Sequence, residues 1–354
     1  APCALVISIP ITYVAAIGNA GRRGILVKGG VALEDLATVK VAAFDKTGTL
    51  THGRPELTEI LTAPDIDETE ALALAAGVER ASEHPLAKAV VDGAAERNVT
   101  PAEVTSITAL VGAGIEGNHD GRRILVGSPK LIAERGLPLA VFGDRIAALE
   151  SSGATAVVLV VDDLPQAVFG LADTLRDQAR STVQALKAAG IERTVMITGD
   201  NRRTADAIAR ELGITNVIAE VLPGDKARVI QDLQKQGRVV AMVGDGVNDA
   251  PALAAADIGI AIGSGSDVAK ETGGIILVKD DVRDVVASIR LSRATMRKIK
   301  QNLFWAFVYN SIGIPIAAFG LLNPIIAAAA MALSSLSVIV NSALLKRLRL
   351  EVSS

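Results

Sequence analysis

Cysteine occurs once in the 354 residues, at Cys3, and aromatic residues make up only 3% of the chain. A single thiol excludes an internal disulfide framework and every zinc-finger spacing, and gives no reading of redox compartment. The net charge of −3 supplies no general pull towards nucleic acid or anionic surfaces, so no nucleic-acid partner is expected. Charge is also missing locally: residues 1–21, 303–322 and 325–345 contain no Asp, Glu, Lys or Arg. The first of these runs lacks the basic start of a signal peptide. It begins with alanine, so the chain is expected to be cut from something longer and to open inside a hydrophobic helix. No internal repeat and no low-complexity segment interrupts the rest.

Half of the residues are apolar, carried mainly by Ala, Val, Ile and Leu, glycine is also abundant, and the length favours two or three domains. Runs 303–322 and 325–345 are separated only by Asn323-Pro324, and each has the ~20 residues that cross ~30 Å of hydrocarbon. Arg293, Arg297, Lys298 and Lys300 precede the pair, while Lys346, Arg347 and Arg349 follow it. The positive-inside tendency places both ends of this hairpin, and the Arg22-Arg23-Lys28 end of the first run, in the cytoplasm. A buried hairpin in a soluble protein is the alternative. Between residues 22 and 302, short apolar runs stop at small polar loops: 39–44 before Asp45, 194–197 before Thr198 and 239–243 before Gly244. Helical patterns at 174–189 and 202–212 flank the 194–197 run, which predicts a parallel sheet with its ligands at the strands' carboxyl ends. Residues 54–165 break this pattern and carry their own glycine-rich segment, so they are expected to form an inserted domain.

Asp45-Lys46-Thr47-Gly48-Thr49-Leu50-Thr51 follows a predicted strand directly. A carboxylate at a strand's end can attack phosphorus when a cation screens its charge. Small and hydroxylated residues just beyond it let backbone N–H groups wrap phosphoryl oxygens.

This string resembles the phosphorylation motif of the P-type ATPases. The family's other motifs follow in order at Thr198-Gly199-Asp200, at Pro223-Gly224-Asp225-Lys226, and at Gly244-Asp245-Gly246-Val247-Asn248-Asp249-Ala250-Pro251. The resemblance implies Asp45 as the phosphorylated nucleophile, with Lys46, Thr47, Gly48 and Thr49 in its loop. Thr198, Gly199, Asp200, Lys226 and Asn248 complete the catalytic set. It further implies ATP as substrate and Mg²⁺ held by Asp45, the Thr47 carbonyl and Asp245. Related haloacid-dehalogenase-like phosphatases place a second aspartate two residues after the nucleophile; Thr47 stands there instead, which suits a persistent acyl-phosphate and disfavours a phosphatase.

Ser82-Glu83-His84-Pro85 resembles the signature of the heavy-metal branch, implying that Glu83 and His84 lie near ATP. Gly112, Gly114 and Gly117 resemble that branch's nucleotide loop. Ala1-Pro2-Cys3 stands where the branch carries Cys-Pro-Cys, with alanine replacing the first thiol. Tyr309-Asn310 and Met331-x-x-Ser334-Ser335 resemble the copper(I) exporters, so Cys3, Tyr309, Asn310, Met331, Ser334 and Ser335 are the expected ligands of a transported soft ion, Cu(I) being favoured. A doubly charged cargo would call for a carboxylate that 303–345 lacks. Residues 3–8 and 24–30, however, read more like zinc and cadmium transporters.

The expected architecture is a haloacid-dehalogenase-like parallel-sheet phosphorylation domain (31–53 and 166–285), an inserted α/β nucleotide-binding domain (54–165) and transmembrane helices at 1–21, 303–322 and 325–345. Its expected setting is a multi-pass position in a bacterial plasma membrane, with the ion, lipid and, as a further candidate, a metallochaperone as partners. The chain shows no Thr-Gly-Glu-Ser actuator segment and no Cys-x-x-Cys domain, so it is expected to be an incomplete pump. Zinc, cadmium or cobalt transport, and a non-cycling nucleotide-binding module, are the alternative readings.

Overall fold

The computed structural model describes residues 3–110, 114–245, 249–263, 271–320 and 323–350. In chain order the elements are α1 (Cys3–Arg23), β1 (Ile25–Val27), α2 (Gly30–Thr38), β2 (Val41–Asp45), β3 (Thr51–Thr62), α3 (Glu68–Glu79) and α4 (Pro85–Glu96). There follow β4 (Thr105–Leu110), β5 (Gly114–His119), β6 (Arg122–Gly127), α5 (Pro129–Glu134), α6 (Gly143–Ser151), β7 (Thr155–Val161) and β8 (Leu164–Leu175). Then come α7 (Ala179–Ala188), β9 (Arg193–Ile197), α8 (Arg202–Leu212), β10 (Asn216–Ile218), α9 (Lys226–Gln234) and β11 (Val240–Gly244). The last are α10 (Ala250–Ala255), β12 (Ile258–Ile262), β13 (Ile275–Leu277), α11 (Arg283–Ala318) and α12 (Pro324–Ala343).

The chain divides into two compact units: one of Ala1–Asp45, Gln178–Val195 and Leu222–Ser354, the other of Lys46–Asp177 and Met196–Val221. In the first, the sheet runs β1-β13-β12-β11-β2-β9, and the boundary between the units falls within β9. β2 lies parallel to β11, with Val41 opposite Val240 and Phe44 opposite Val243, and β11 lies parallel to β12. Every residue of β2, β11 and β12 is buried. Such continuous apolar runs are what a strand covered on both faces requires, and they explain why no alternation marks these strands in the sequence. β2 and β11 are neighbours in the sheet although far apart in sequence. Motifs that follow the two strands therefore meet at one carboxyl edge of the sheet.

The second unit is built on an antiparallel sheet in the order β3-β8-β7-β6-β5-β4. One face packs on α3 and α4 through Leu72, Leu74, Val78, Val90 and Phe169, and the other buries Phe142, Ile146 and Leu149. β3 begins at Thr51 and β8 ends at Leu175, so this sheet reaches past 54–165 at both ends. The haloacid-dehalogenase-like class with an inserted α/β domain is therefore the fold observed.

Among the described residues, two helical stretches, Leu5–Arg23 and Ile325–Arg347, are long and apolar enough to cross a membrane. Of the third expected span, 303–322, residues 303–318 form the end of α11, one continuous helix of 36 residues that begins in the charged segment at Arg283. That helix is not among those two stretches, and residues 321–322 lie outside the described residues. A polar cluster joins α1, α11 and α12. Thr12 Oγ1 meets Ser342 Oγ at 2.8 Å, and Asn302 Nδ2 donates to both, at 3.2 and 3.0 Å. Asn341 Nδ2 donates to Asn302 Oδ1 at 2.8 Å, and Lys298 Nζ donates to Asn341 Oδ1 at 2.7 Å. Small and amide side chains of this kind hold helices together where the hydrophobic effect cannot.

Candidate active site

β2 carries Asp45 to the carboxyl end of the parallel sheet, beside the end of β11, where Asp245 follows Gly244. Lys226, the first residue of α9, donates from Nζ to Asp45 Oδ1 and to Asp249 Oδ1, both at 2.6 Å. All three side chains are buried, Asp249 most completely. Asp249 Oδ2 has no partner among the described residues. A Cβ at residue 244 would lie 2.5 Å from Asp249 Oδ2 and 2.9 Å from Asp249 Cβ, so glycine is what lets Asp249 reach the lysine.

Burial, and then the neighbouring Asp249 carboxylate, push the Asp45 carboxyl up to about 7 against the pull of Lys226, with Asp245 adding to the push. Burial pulls Lys226 down, but Asp45 and Asp249 outweigh it and hold the ammonium above its usual range. Two buried carboxylates share one ammonium, and one of their oxygens has no partner among the described residues, so the cluster is short of positive charge. A hard dication fits that deficit. Among the described residues no three acidic, histidine or cysteine side chains form a preformed metal cage, so magnesium here would also draw on carbonyl, water and phosphate oxygens. Were Asp45 among its ligands, binding would require that carboxyl ionised. Magnesium affinity is therefore expected to fall about tenfold per pH unit below about 7, which calorimetric titration between pH 5.5 and about 8 would measure; a flat profile would remove Asp45 from the ligand set.

The loop after Asp45 belongs to the second unit. Gly48 takes φ +74°, a left-handed conformation that glycine adopts without steric cost, and Thr47 is extended. Lys46 Nζ pairs with Asp200 Oδ2 at 2.7 Å. Thr198 Oγ1 donates to Asp200 Oδ2 at 2.9 Å and accepts from the Asp200 N–H at 3.1 Å. Buried Arg176 forks across the loop, donating from Nε to the Thr51 carbonyl at 3.0 Å and from Nη2 to the Gly48 carbonyl at 2.9 Å. Thr51 Oγ1 donates to Asp173 Oδ2 at 2.5 Å. The structure thus brings Asp45 to Lys226, and Lys46 to Thr198 and Asp200. Asn248 lies outside the described residues.

In the inserted sheet domain, His84 caps α4, its Nδ1 accepting from the Leu86 N–H at 3.2 Å, and both Glu83 and His84 are exposed. Gly114 and Gly117 sit in β5, where an added Cβ would lie 2.4 Å from the Val126 carbonyl oxygen and 2.5 Å from Val104 Cγ1 respectively. Both glycines therefore have a packing reason; Gly112 lies outside the described residues. Glu79 ends α3, buried, and burial raises its carboxyl to about 7.

Of the expected cargo ligands, the Cys3 side chain lies outside the described residues. Tyr309 lines a cavity of about 380 Å³ with Gln301, Asn302, Trp305, Ser337 and Asn341, whereas Met331, Ser334 and Ser335 do not line it. Met331 is exposed and Ser334 buried, and Asn310 Nδ2 donates to the Ala306 carbonyl of its own helix at 2.8 Å.

Sequence reasoning assigned no role to Asp249, Arg176 or Glu79. Asp249 stands inside the string from Gly244 to Pro251, where its position alone could have singled it out. Glu79 carries a signal, an acid in the last turn of an apolar helix, where the helix dipole disfavours it. Arg176 gives none.

Residues 39–257 match the family described as haloacid dehalogenase-like hydrolase, and the chain belongs to that family. Its relatives place it among the P-type ATPases. It is 47% identical over 348 residues to a copper-exporting P-type ATPase of Bacillus subtilis (strain 168), covering 98% of this chain and 43% of that protein. A zinc-transporting PIB-type ATPase in its E2.Pi state is 42% identical with a TM-score of 0.76, over 98% of this chain and 56% of that one. The catalytic domain of the CPx-ATPase CopB-B is 30% identical with a TM-score of 0.60, over 77% of this chain and 98% of that one. The chain thus spans about half the length of the transporters it matches.

Proposed function

We propose that this chain is the catalytic portion of an ATP-driven heavy-metal pump that carries its phosphoryl group on Asp45. The observation that supports it most is the buried Asp45–Lys226–Asp249 cluster at the end of β2. Asp45 Oδ attacks the γ-phosphorus of ATP, the bond from that phosphorus to the bridging oxygen breaks, and ADP leaves. Lys226 meets the negative charge of the transferring group. Thr198 and Lys46 are proposed to hold its oxygens, and Glu83, His84 and Glu79 to face the nucleotide. Magnesium, held by Asp45, Asp245 and the Thr47 carbonyl, would supply charge screening. Thr47 has no carboxylate with which to activate a water, which favours survival of the acyl-phosphate once it forms.

Cu(I) is the proposed cargo, supported by the copper-exporting relative and by the uncharged run 303–345. The zinc-transporting neighbour favours a divalent cargo as the second reading. A multi-pass position in a bacterial plasma membrane, and a metallochaperone as donor, belong to the same proposal. The test is acid-stable labelling by γ-labelled ATP, together with turnover of a full-length pump containing this chain under Cu(I), Ag(I), Zn²⁺, Cd²⁺ and Co²⁺. Label is expected on the native protein and none on Asp45→Asn, with turnover stimulated by Cu(I) and Ag(I) and lowered at least tenfold in Met331→Ala, roughly the loss of one ligand. Label persisting in Asp45→Asn would end the proposal, and stimulation by divalent ions alone would end its copper half.

A further inference from the structure

The face of α11 that meets α2 carries a groove of about 740 Å³ lined by Thr38, Arg293, Arg297, Lys300, Phe304 and Trp305. Residues 293, 297, 300 and 304 fall at helical spacing on one stripe, so along this face cations give way to aromatic rings within one turn. Phe304 and Trp305 stand 61% and 52% exposed at the start of the apolar run, packed edge to face at 5.6 Å. Arg293 is occupied, donating to the carbonyls of Ala37 and Val39. Arg297 and Lys300 are exposed and form no ion pair among the described residues. The groove's one carboxylate, Glu34, accepts from the Tyr13 hydroxyl.

We infer that this groove seats the headgroup of an anionic phospholipid, its phosphate on Arg297 and Lys300 and its acyl chains along Phe304 and Trp305. The inference rests on the reading that the apolar end of α11 lies in the bilayer. Cations at the cytoplasmic boundary with aromatic rings one turn deeper match the depth order of a phospholipid, phosphate outside and hydrocarbon inside. A protein partner would need the apolar rings and the cations covered together, whereas a lipid satisfies each layer with its own chemistry.

Trp305 is the only tryptophan in the chain and lines this groove; it also borders the cavity beside Tyr309, so the Arg297 and Lys300 variants are what assign a quenching preference to the groove. The full chain is placed in phosphatidylcholine nanodiscs doped with a minor fraction of either acyl-brominated phosphatidylglycerol or acyl-brominated phosphatidylcholine. The expected result is preferential quenching by the brominated phosphatidylglycerol, a preference of roughly 30-fold if both cations contribute. Arg297→Gln/Lys300→Gln brings the two lipids to parity, while Lys346→Gln/Arg347→Gln keeps the preference. Equal quenching in the native protein, no quenching by either lipid, or a preference that survives Arg297→Gln/Lys300→Gln would each overturn the inference. Restoration of fluorescence by soluble glycerol phosphate would overturn it too, in favour of a soluble phosphate ligand. Labelling at Asp45 does not use this groove, so the pump proposal stands or falls separately.

Discussion

Replacing Lys226 by methionine is expected to destabilise the β2–β11 edge by about 3–5 kcal/mol. Methionine keeps the length and the packing but leaves Asp45 and Asp249 buried against each other without their shared cation. The sign with pH follows from Asp45. Its folded value, about 7, stands above the ordinary 3.8, so ionising it works against folding, and the penalty grows as pH rises through that window. Without the lysine one carboxyl escapes by binding a proton. The loss is therefore smaller at pH 6 than at pH 8, roughly by the 1.4 kcal/mol that each pH unit supplies. Asp249→Asn in the Lys226→Met background removes one of the opposed charges and recovers much of the loss. Hydrogen exchange of the β2 and β11 amides, measured without magnesium, reads this edge locally where whole-chain unfolding would mix two units. Native protection in Lys226→Met at pH 8 would show that the lysine is not the cation on which the cluster depends.

The parallel core was legible because the runs that form β2, β9 and β11 are short, mainly apolar and stop at small polar loops. Those features made Asp45 and the Gly244 segment readable as ends of strands, whereas Lys226 was reached only through the family resemblance. The inserted domain was legible as an interruption, but not as six antiparallel strands, since β4 is largely exposed along its length and carries no buried face. The ion pair between Lys46 and Asp200 joins two motifs that sequence order alone leaves apart. Arg176 was illegible for a physical reason: it acts by donating to backbone carbonyls, and a carbonyl leaves no mark on residue identity. In α11, Lys298 read only as part of a charged flank, and only packing joins it through Asn341 to Asn302 and Ser342 in one network.

Glutamine at position 79 is expected to make the inserted domain more stable at pH 8 and its nucleotide binding weaker. Burial lifts the Glu79 carboxyl from 4.5 to about 7. Because the folded value is the higher one, the protonated form favours the fold. The penalty for ionising is absent below about pH 4.5, builds through pH 7 and is complete above it, with a ceiling of about 3 kcal/mol. Glutamine keeps the shape and removes the charge, so the gain should appear at pH 8 and vanish near pH 4.5. A buried acid without an ionic partner is costly, and a protein retains such a group where function uses it. If Glu79 faces the nucleotide, Glu79→Gln should weaken ATP binding by about tenfold, the worth of one hydrogen bond to a charged group, in calorimetric titration at pH 8. Stability that rises while ATP affinity stays unchanged would make Glu79 a buried acid with no part in nucleotide binding, and would leave Glu83 and His84 as the proposed nucleotide contacts.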